Sequence, residues 1–378
     1  MTPGRPIRIL IVDDSAVMRS LLRSVIATDS KLEVAATAAD GASALSSIEM
    51  HLPDLVLLDV EMPVKDGLVT LRQLRQRGHK MPVIMCSSLT HRGAKVTIEA
   101  LACGASDYVA KPAGQANREE ALKTLAQDLL PKIHALAGRT RTLSTQLFGP
   151  RPVVPLPPPT PASQVITSKP AVIAIGVSTG GPAALDLLLP ALPSSFPLPV
   201  LIVQHMPEVF TRLFAERLND HCPLHVREAA EGQPVEPGVI AIARGNWHME
   251  VVASLRHGAP HTLHLNQDPP ENHCRPAVDV LFRSVARVYG SGVLALVLTG
   301  MGSDGLAGCR IIRAQGGAVL AQDQASSTVW GMPGAVAQAG LAHRILPLSA
   351  IAQEIVRLTG TAAAAASPQP GNAARMVV

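Results

Sequence analysis

The chain has 378 residues, 47% apolar and 16% charged, enough for two ordinary cores and too apolar for a disordered chain. Only 2% are aromatic, so bases would find few rings to stack on and single-stranded nucleic-acid binding is disfavoured. A formal charge of +4 without any Lys/Arg block also lacks the footprint of a DNA binder.

From Ile7 to Leu136 short apolar runs alternate with helical periods. Ile9–Val12 reads as a strand, followed by Met18, Leu21, Leu22 and Val25 at helical spacing. The pattern returns at Leu32–Ala35, Leu55–Leu58, Val83–Cys86 and Tyr108–Ala110. Continuous apolar strands are what a sheet covered on both faces requires. Five of them with intervening helices predict a doubly wound parallel domain.

In such a sheet, functional groups collect at the carboxyl ends of the strands. Asp13 and Asp14 close the first strand, Asp59 the third; Ser87 follows the fourth and Lys111 the fifth. Taken singly, each could be an ordinary loop residue. Together they converge on one crevice, where three carboxylates would repel unless a hard cation such as Mg²⁺ neutralised them. One carboxylate could then accept a phosphoryl group, with the cation and Lys111 stabilising the developing charge.

These segments, Val12-Asp13-Asp14-Ser15, Leu58–Pro63, Asp66-Gly67 and Tyr108–Pro112, resemble the receiver domain of two-component signalling. The resemblance implies a flavodoxin-like fold phosphorylated at Asp59. It further implies Mg²⁺ held by Asp13, Asp14, Asp59 and the Glu61 backbone carbonyl, and Ser87 and Tyr108 as a switch pair.

Seven prolines fall between Pro150 and Pro161, a composition that favours an extended spacer over a packed element. A second α/β alternation follows. Strands are predicted at Val172–Val177, Val200–Val203, Val239–Ile242, Val293–Leu298 and Ala318–Leu320, and helices at Ala183–Leu189, Val209–Leu218 and Val278–Tyr289. The resulting division is 1–137, a linker over 138–170, a second domain over 171–360, and an Ala/Pro/Gly-rich tail over 361–378 expected to be disordered.

Gly176-Val177-Ser178-Thr179-Gly180-Gly181-Pro182 sets a serine between a strand and a helix, flanked by glycines that permit a tight turn. The following helix amino terminus offers free N–H groups to a developing oxyanion. The motif fits a nucleophile elbow and, equally, a phosphate-binding loop. A serine nucleophile needs a base and the base an orienting partner. His205 ends the next strand, and Asp304 lies in the glycine-rich loop after Val293–Leu298. Strand-end position favours His205 over His51, His79 or His261, while His248 remains the main rival. The order Ser178, His205, Asp304 departs from the Ser, Asp, His order of α/β-hydrolases.

Gly176–Pro182, Gln204–Pro207, Arg275–Asp279, Thr299–Gly305 and Gln322–Pro333 instead resemble the catalytic domain of the chemotaxis methylesterase family CheB. Arg244 and Ala277 stand where that family commonly has proline and serine. The resemblance implies a Rossmann-like parallel-sheet serine hydrolase acting through Ser178, His205 and Asp304, with Thr179 at the site and the Met301 N–H in the oxyanion hole. Hydrolysis would need no cofactor.

The implied substrates are glutamyl methyl esters and glutamines of methyl-accepting chemotaxis receptors, and the implied phosphodonor is the histidine kinase CheA. A monomer that meets the membrane only through receptors is expected, with no nucleic-acid partner. The rivals are a receiver on a DNA-binding output, which would need a basic recognition helix, and a receiver on a catalytically dead adaptor. Five cysteines without a CxxC pair read as reduced thiols. There is no signal-peptide pattern, and apolar runs fall far short of the ~20 residues that span a bilayer, so a cytoplasmic location is expected.

Overall fold

The computed structural model describes residues 5–62, 66–112, 117–148, 166, 169–256 and 258–360. The Pro-rich stretch 150–161, Pro63 and the tail from 361 lie outside the described residues.

The first unit runs β1 (Ile7–Val12), α1 (Ala16–Ile26), β2 (Leu32–Ala38), α2 (Gly41–His51), β3 (Leu55–Asp59) and α3 (Gly67–Gln76). It continues with β4 (Val83–Ser87), α4 (His91–Ala102), β5 (Asp107–Ala110) and α5 (Arg118–Phe148). Its strands pair in parallel in the order β2-β1-β3-β4-β5, the flavodoxin-like arrangement. β3 and β4 are buried at every residue, as their unbroken apolar runs require. Ser15, Asp66 and Thr90 cap α1, α3 and α4 by accepting from the N–H groups of Met18, Val69 and Gly93, donors that a helix start leaves unpaired. Helix α5 passes the boundary expected at 137 and reaches Phe148. No proline interrupts the chain between Pro131 and Pro150 to end the helix sooner.

The second unit runs β6 (Val172–Val177), α6 (Gly181–Leu188), β7 (Val200–Gln204), α7 (Glu208–Asn219), β8 (His225–Glu228), β9 (Val239–Ile242), β10 (His248–Val252) and β11 (Thr262–Asn266). It closes with α8 (Val278–Tyr289), β12 (Val293–Val297), α9 (Leu306–Ala314), β13 (Ala318–Gln322), α10 (Met332–Gln338), β14 (Arg344–Leu346) and α11 (Leu348–Thr359). Seven strands form a parallel sheet in the order β14-β13-β12-β6-β7-β9-β8, and β10 and β11 form a separate antiparallel ribbon. The chain leaves the central β6 toward β8 and returns on the other side from β12 onward. That reversal between β6 and β12 is the switch point at which a crevice opens beyond the strand ends.

β8 and β14, absent from the sequence reading, are the edges of this sheet; β8 is mostly polar with His225 exposed, and β14 is three half-buried residues long. A polar or very short edge discourages pairing with other chains and carries little apolar run to detect. β11 alternates in burial along its length, and β10 does so from Met249 on.

The two units are packed together. Helix α4 of the first lies against α6 and α7 of the second. Ile98, Leu101, Leu185 and Leu213 belong to one continuous apolar cluster that crosses the boundary. On the other side of the first sheet, buried Val329 and half-buried Met301 join the cluster built around α1 and α5.

Candidate active site and phosphoacceptor pocket

Asp13, just past β1, and Asp59, at the end of β3, are fully buried, while Asp14 is exposed. Carboxylate oxygens of all three lie within 4.8 Å of one another. Lys111 reaches in from the end of β5, its Nζ 2.9 Å from Asp13 and 2.7 Å from Asp59. The Ser15 N–H donates to Asp13 and the Glu61 N–H to Asp59. Burial pushes the Asp59 carboxyl up to about 6; Lys111 opposes this and Asp13 adds to it. Asp59 Oδ2 is buried with no hydrogen-bond partner among the described residues. An orphaned oxygen beside two more carboxylates fits a hard, oxygen-seeking divalent cation such as Mg²⁺.

Ser87, at the end of β4, accepts from the Thr97 hydroxyl at 2.7 Å and donates to the Ser88 carbonyl at 3.1 Å. Tyr108 is buried in the domain contact, stacked on Phe210 of α7 with ring centroids 4.6 Å apart. Lys132 stands over the same ring and donates to the Tyr108 carbonyl.

Ser178 leaves β6 at the switch point. Its N–H donates to the Thr299 carbonyl, and its own carbonyl accepts from Gly181 N–H and Gln204 Nε2. Gly180 turns the chain into α6 with φ of +77°, a conformation that side chains resist. Gly300 lets the following loop, and with it Met301, close over the serine: a Cβ there would come within 2.9 Å of Ser178 Cβ.

The His205 N–H donates to the Val177 carbonyl at 3.2 Å, which holds the imidazole beside the end of β6. His205 Nε2 meets Asp304 Oδ2 at 2.9 Å, and Nδ1 faces Cys274 Sγ at 3.6 Å. Asp304 is clasped by the start of α8: the Val278 N–H donates to Oδ2 at 2.7 Å, and the Asp279 N–H to Oδ1 at 3.0 Å. Asn272 and Gly305 also donate to Oδ1. Burial alone would raise the Asp304 carboxyl, but His205 and the two α8 amides hold it below its ordinary value. Burial opposes protonation of His205, yet Asp304 and Cys274 outweigh it and raise the imidazole to about 9.

The rival His248 is buried, with Nδ1 accepting from the Ala277 N–H and Nε2 facing the Pro269 carbonyl. Both nitrogens serve backbone groups. The hydroxyl of Thr179, the residue after Ser178, donates to Asp107 Oδ2 of the first domain at 2.7 Å, and both residues are buried. Asp107, Asn272 and Cys274 went unmarked in the sequence reading. The first two could not be found by spacing, because their partners lie on another domain or element. A cavity of about 610 Å³ opens at His205 between the domains, with Leu89, Tyr108 and Lys132 on one wall and Cys274 and Arg275 on the other.

A fixed imidazole–carboxylate pair beside a glycine-flanked serine can carry acyl transfer. Residues 173–355 match the CheB methylesterase family model and residues 9–123 the response regulator receiver domain. A Trichodesmium erythraeum protein is 48% identical over 353 residues, spanning 93% of this chain and 99% of its own. A Nocardioides sp. protein is 48% identical over 370 residues, spanning 94% and 95%, and an Azospirillum brasilense protein 42% identical over 378, spanning 95% and 94%. All three are named protein-glutamate methylesterase/protein-glutamine glutaminase. The Thermotoga maritima CheB methylesterase catalytic domain is 38% identical and aligns over 50% of this chain and 100% of its own, with a TM-score of 0.49. The chain belongs to the CheB family of protein-glutamate methylesterases/protein-glutamine glutaminases, with a response-regulator receiver domain ahead of the catalytic domain.

Proposed function

We propose that this protein removes methyl esters from glutamyl side chains of chemotaxis receptors and deamidates receptor glutamines, under the control of phosphorylation at Asp59. The observation that carries the chemistry is the His205–Asp304 pair locked onto the start of α8, with the His205 backbone bonded to Val177, the residue before Ser178. With Nε2–H given to Asp304, His205 Nδ1 is the nitrogen left to act as base. It takes the Ser178 proton as Oγ attacks the γ-carbonyl carbon, and the Met301 N–H receives the oxyanion. The imidazolium then returns the proton to the leaving methoxide or amide nitrogen, releasing methanol or ammonia. Water, deprotonated by the same imidazole, attacks the acyl carbon; the imidazolium returns that proton to Ser178 Oγ as the C–Oγ bond breaks and glutamate leaves.

Control follows from where the receiver sits. Tyr108 lines the cavity that leads to His205, and the Asp107–Thr179 bond ties the receiver to the residue after Ser178. Phosphorylation of Asp59 adds charge at the end of β3 and shifts Ser87 and Tyr108, which loosens that contact. Asp13, Asp14, Asp59 and the Glu61 carbonyl would hold Mg²⁺, which when bound neutralises charge at the phosphoryl group. Lys111 does the same from this chain. The histidine kinase CheA is the phosphodonor in this reading, and the cytoplasm its setting. Among the described residues no helix is long and apolar enough to cross a membrane.

The test is methanol release from methylated receptor membranes, with and without a small phosphodonor. Release should depend on Ser178 and rise with the phosphodonor only where Asp59 is present. Undiminished release from Ser178→Ala would sink the hydrolase assignment. Full activity without phosphodonor, equal to that of the fragment from residue 166 onward, would sink the gating.

A further inference from the structure

The mechanism leaves one polarisable group at the base unused. Cys274 Sγ stands 3.6 Å from His205 Nδ1, the nitrogen that faces away from Asp304. Zn²⁺ bonds of about 2.3 Å to sulfur and about 2.0–2.1 Å to nitrogen, set at a tetrahedral angle, separate the two donor atoms by about 3.5 Å. The pair therefore has the separation of two ligands on one ion. Cys274, His205 and Asp304 offer ligand atoms within 4.8 Å of one another.

We propose that Cys274 Sγ and His205 Nδ1 form a site for a soft divalent cation, Zn²⁺, whose occupation silences the hydrolase. Asp304 plays the supporting part: its carboxylate on Nε2 fixes the tautomer and makes Nδ1 the better donor, the usual arrangement behind a zinc-bound histidine. The two ligands are 69 residues apart, which is why a search for closely spaced cysteines finds nothing. The cavity in front of them is large enough, at about 610 Å³, to admit the ion with its remaining waters, and His273 lines the same space. Binding sends the Cys274 proton, and the Nδ1 proton where the imidazole is protonated, to solvent, and it occupies the lone pair that would otherwise deprotonate Ser178. Mg²⁺, which prefers oxygen donors, does not compete here, so the cation that serves Asp59 and the one that blocks His205 are told apart by ligand softness.

The blocking effect rests on His205 being the base; the binding does not. The experiment uses the full chain with Cys103 and Cys222, the other partly exposed thiols, changed to serine. Cobalt(II) titration should give a near-ultraviolet thiolate-to-metal band that is absent in Cys274→Ala and in the shape-preserving Cys274→Ser. Micromolar Zn²⁺ should stop methanol release, a chelator should restore it, and millimolar Mg²⁺ should not inhibit. Each Cys274 variant, normalised to its own metal-free rate, should need at least about tenfold more Zn²⁺. The same cobalt spectrum with and without Cys274, or equal zinc sensitivity of parent and variants, overturns the proposal. A Cys274-dependent band with undiminished activity upholds the site and counts instead against His205 as the base.

Discussion

The Thr179 hydroxyl donates to the Asp107 carboxylate at 2.7 Å, joining the residue after Ser178 to the residue before Tyr108. Both are buried, so neither finds water as a substitute partner. Losing one side of such a bond costs about 1–3 kcal/mol, which is roughly a 5- to 150-fold change in an equilibrium. Asp107→Ala should therefore raise methanol release without phosphodonor at least about fivefold and shrink the activation that phosphodonor gives. An unchanged basal rate would show that this bond does not hold the domains closed.

Asp304 has two duties, orienting His205 and receiving the amides at the start of α8. Asp304→Asn keeps the shape and loses the charge, so kcat should fall by about 10³–10⁴. Ser178→Ala should lose at least as much while melting within about a degree of the parent, because the hydroxyl makes no hydrogen bond among the described residues. If Asp304→Asn retained more than a tenth of the rate, the carboxylate would not be serving the imidazole.

The elevated imidazole sets a pH limb. The base must be neutral, and Asp304 and Cys274 raise His205 to about 9, so kcat/KM should climb with pH and level off only above that value. Cys274→Ala removes one of the two groups holding the proton and should move the limb to lower pH. The sign for stability is opposite. A folded value above the ordinary 6.5 stabilises fully below 6.5, and that stabilisation is lost as pH rises through about 9. A limb that does not move in Cys274→Ala would contradict the part given to the thiol.

Asp59 runs the other way. Its carboxyl is raised from 3.8 to about 6 chiefly by burial, a difference worth on the order of 3 kcal/mol against the ionised folded state. No penalty exists below 3.8; it accumulates between 3.8 and about 6 and stays in full above that. Asp59→Asn should then melt a few degrees higher than the parent at pH 7.5 without Mg²⁺. Added Mg²⁺ should raise the parent's Tm more than the variant's, and phosphodonor should no longer activate the variant. A lower Tm for Asp59→Asn would mean that the Lys111 ion pair outweighs the burial.

The sequence made the strand-end residues legible because their chemistry and their position coincide. Asp13, Asp59 and Lys111 each follow a continuous apolar run, and Ser178 and His205 do too. Fully covered strands such as β3 and β6 advertise themselves by uninterrupted Val, Ile and Leu. The edges β8 and β14 do not, since Arg227 and Arg344 look like loop residues until the neighbouring strand is known. The support of Asp304 was illegible for a related reason. Its partners Val278 and Asp279 act through backbone N–H groups, which no residue type announces. The resemblance implies a place for Thr179 at the site but says nothing of its hydrogen-bond partner, which lies 72 positions away on another domain.

Among the described residues, the boundary between the domains is made of stacked rings, packed apolar side chains and a buried hydrogen bond, with no ion pair across it. Its thermodynamic character follows from that composition. Screening by salt weakens exposed charge pairs but leaves such a contact nearly untouched, whereas apolar burial loses strength on cooling. Ionic strength should leave the resting enzyme shut. A cold cell, by contrast, should leak unprompted demethylation, so that adaptation drifts with temperature even when the kinase is silent.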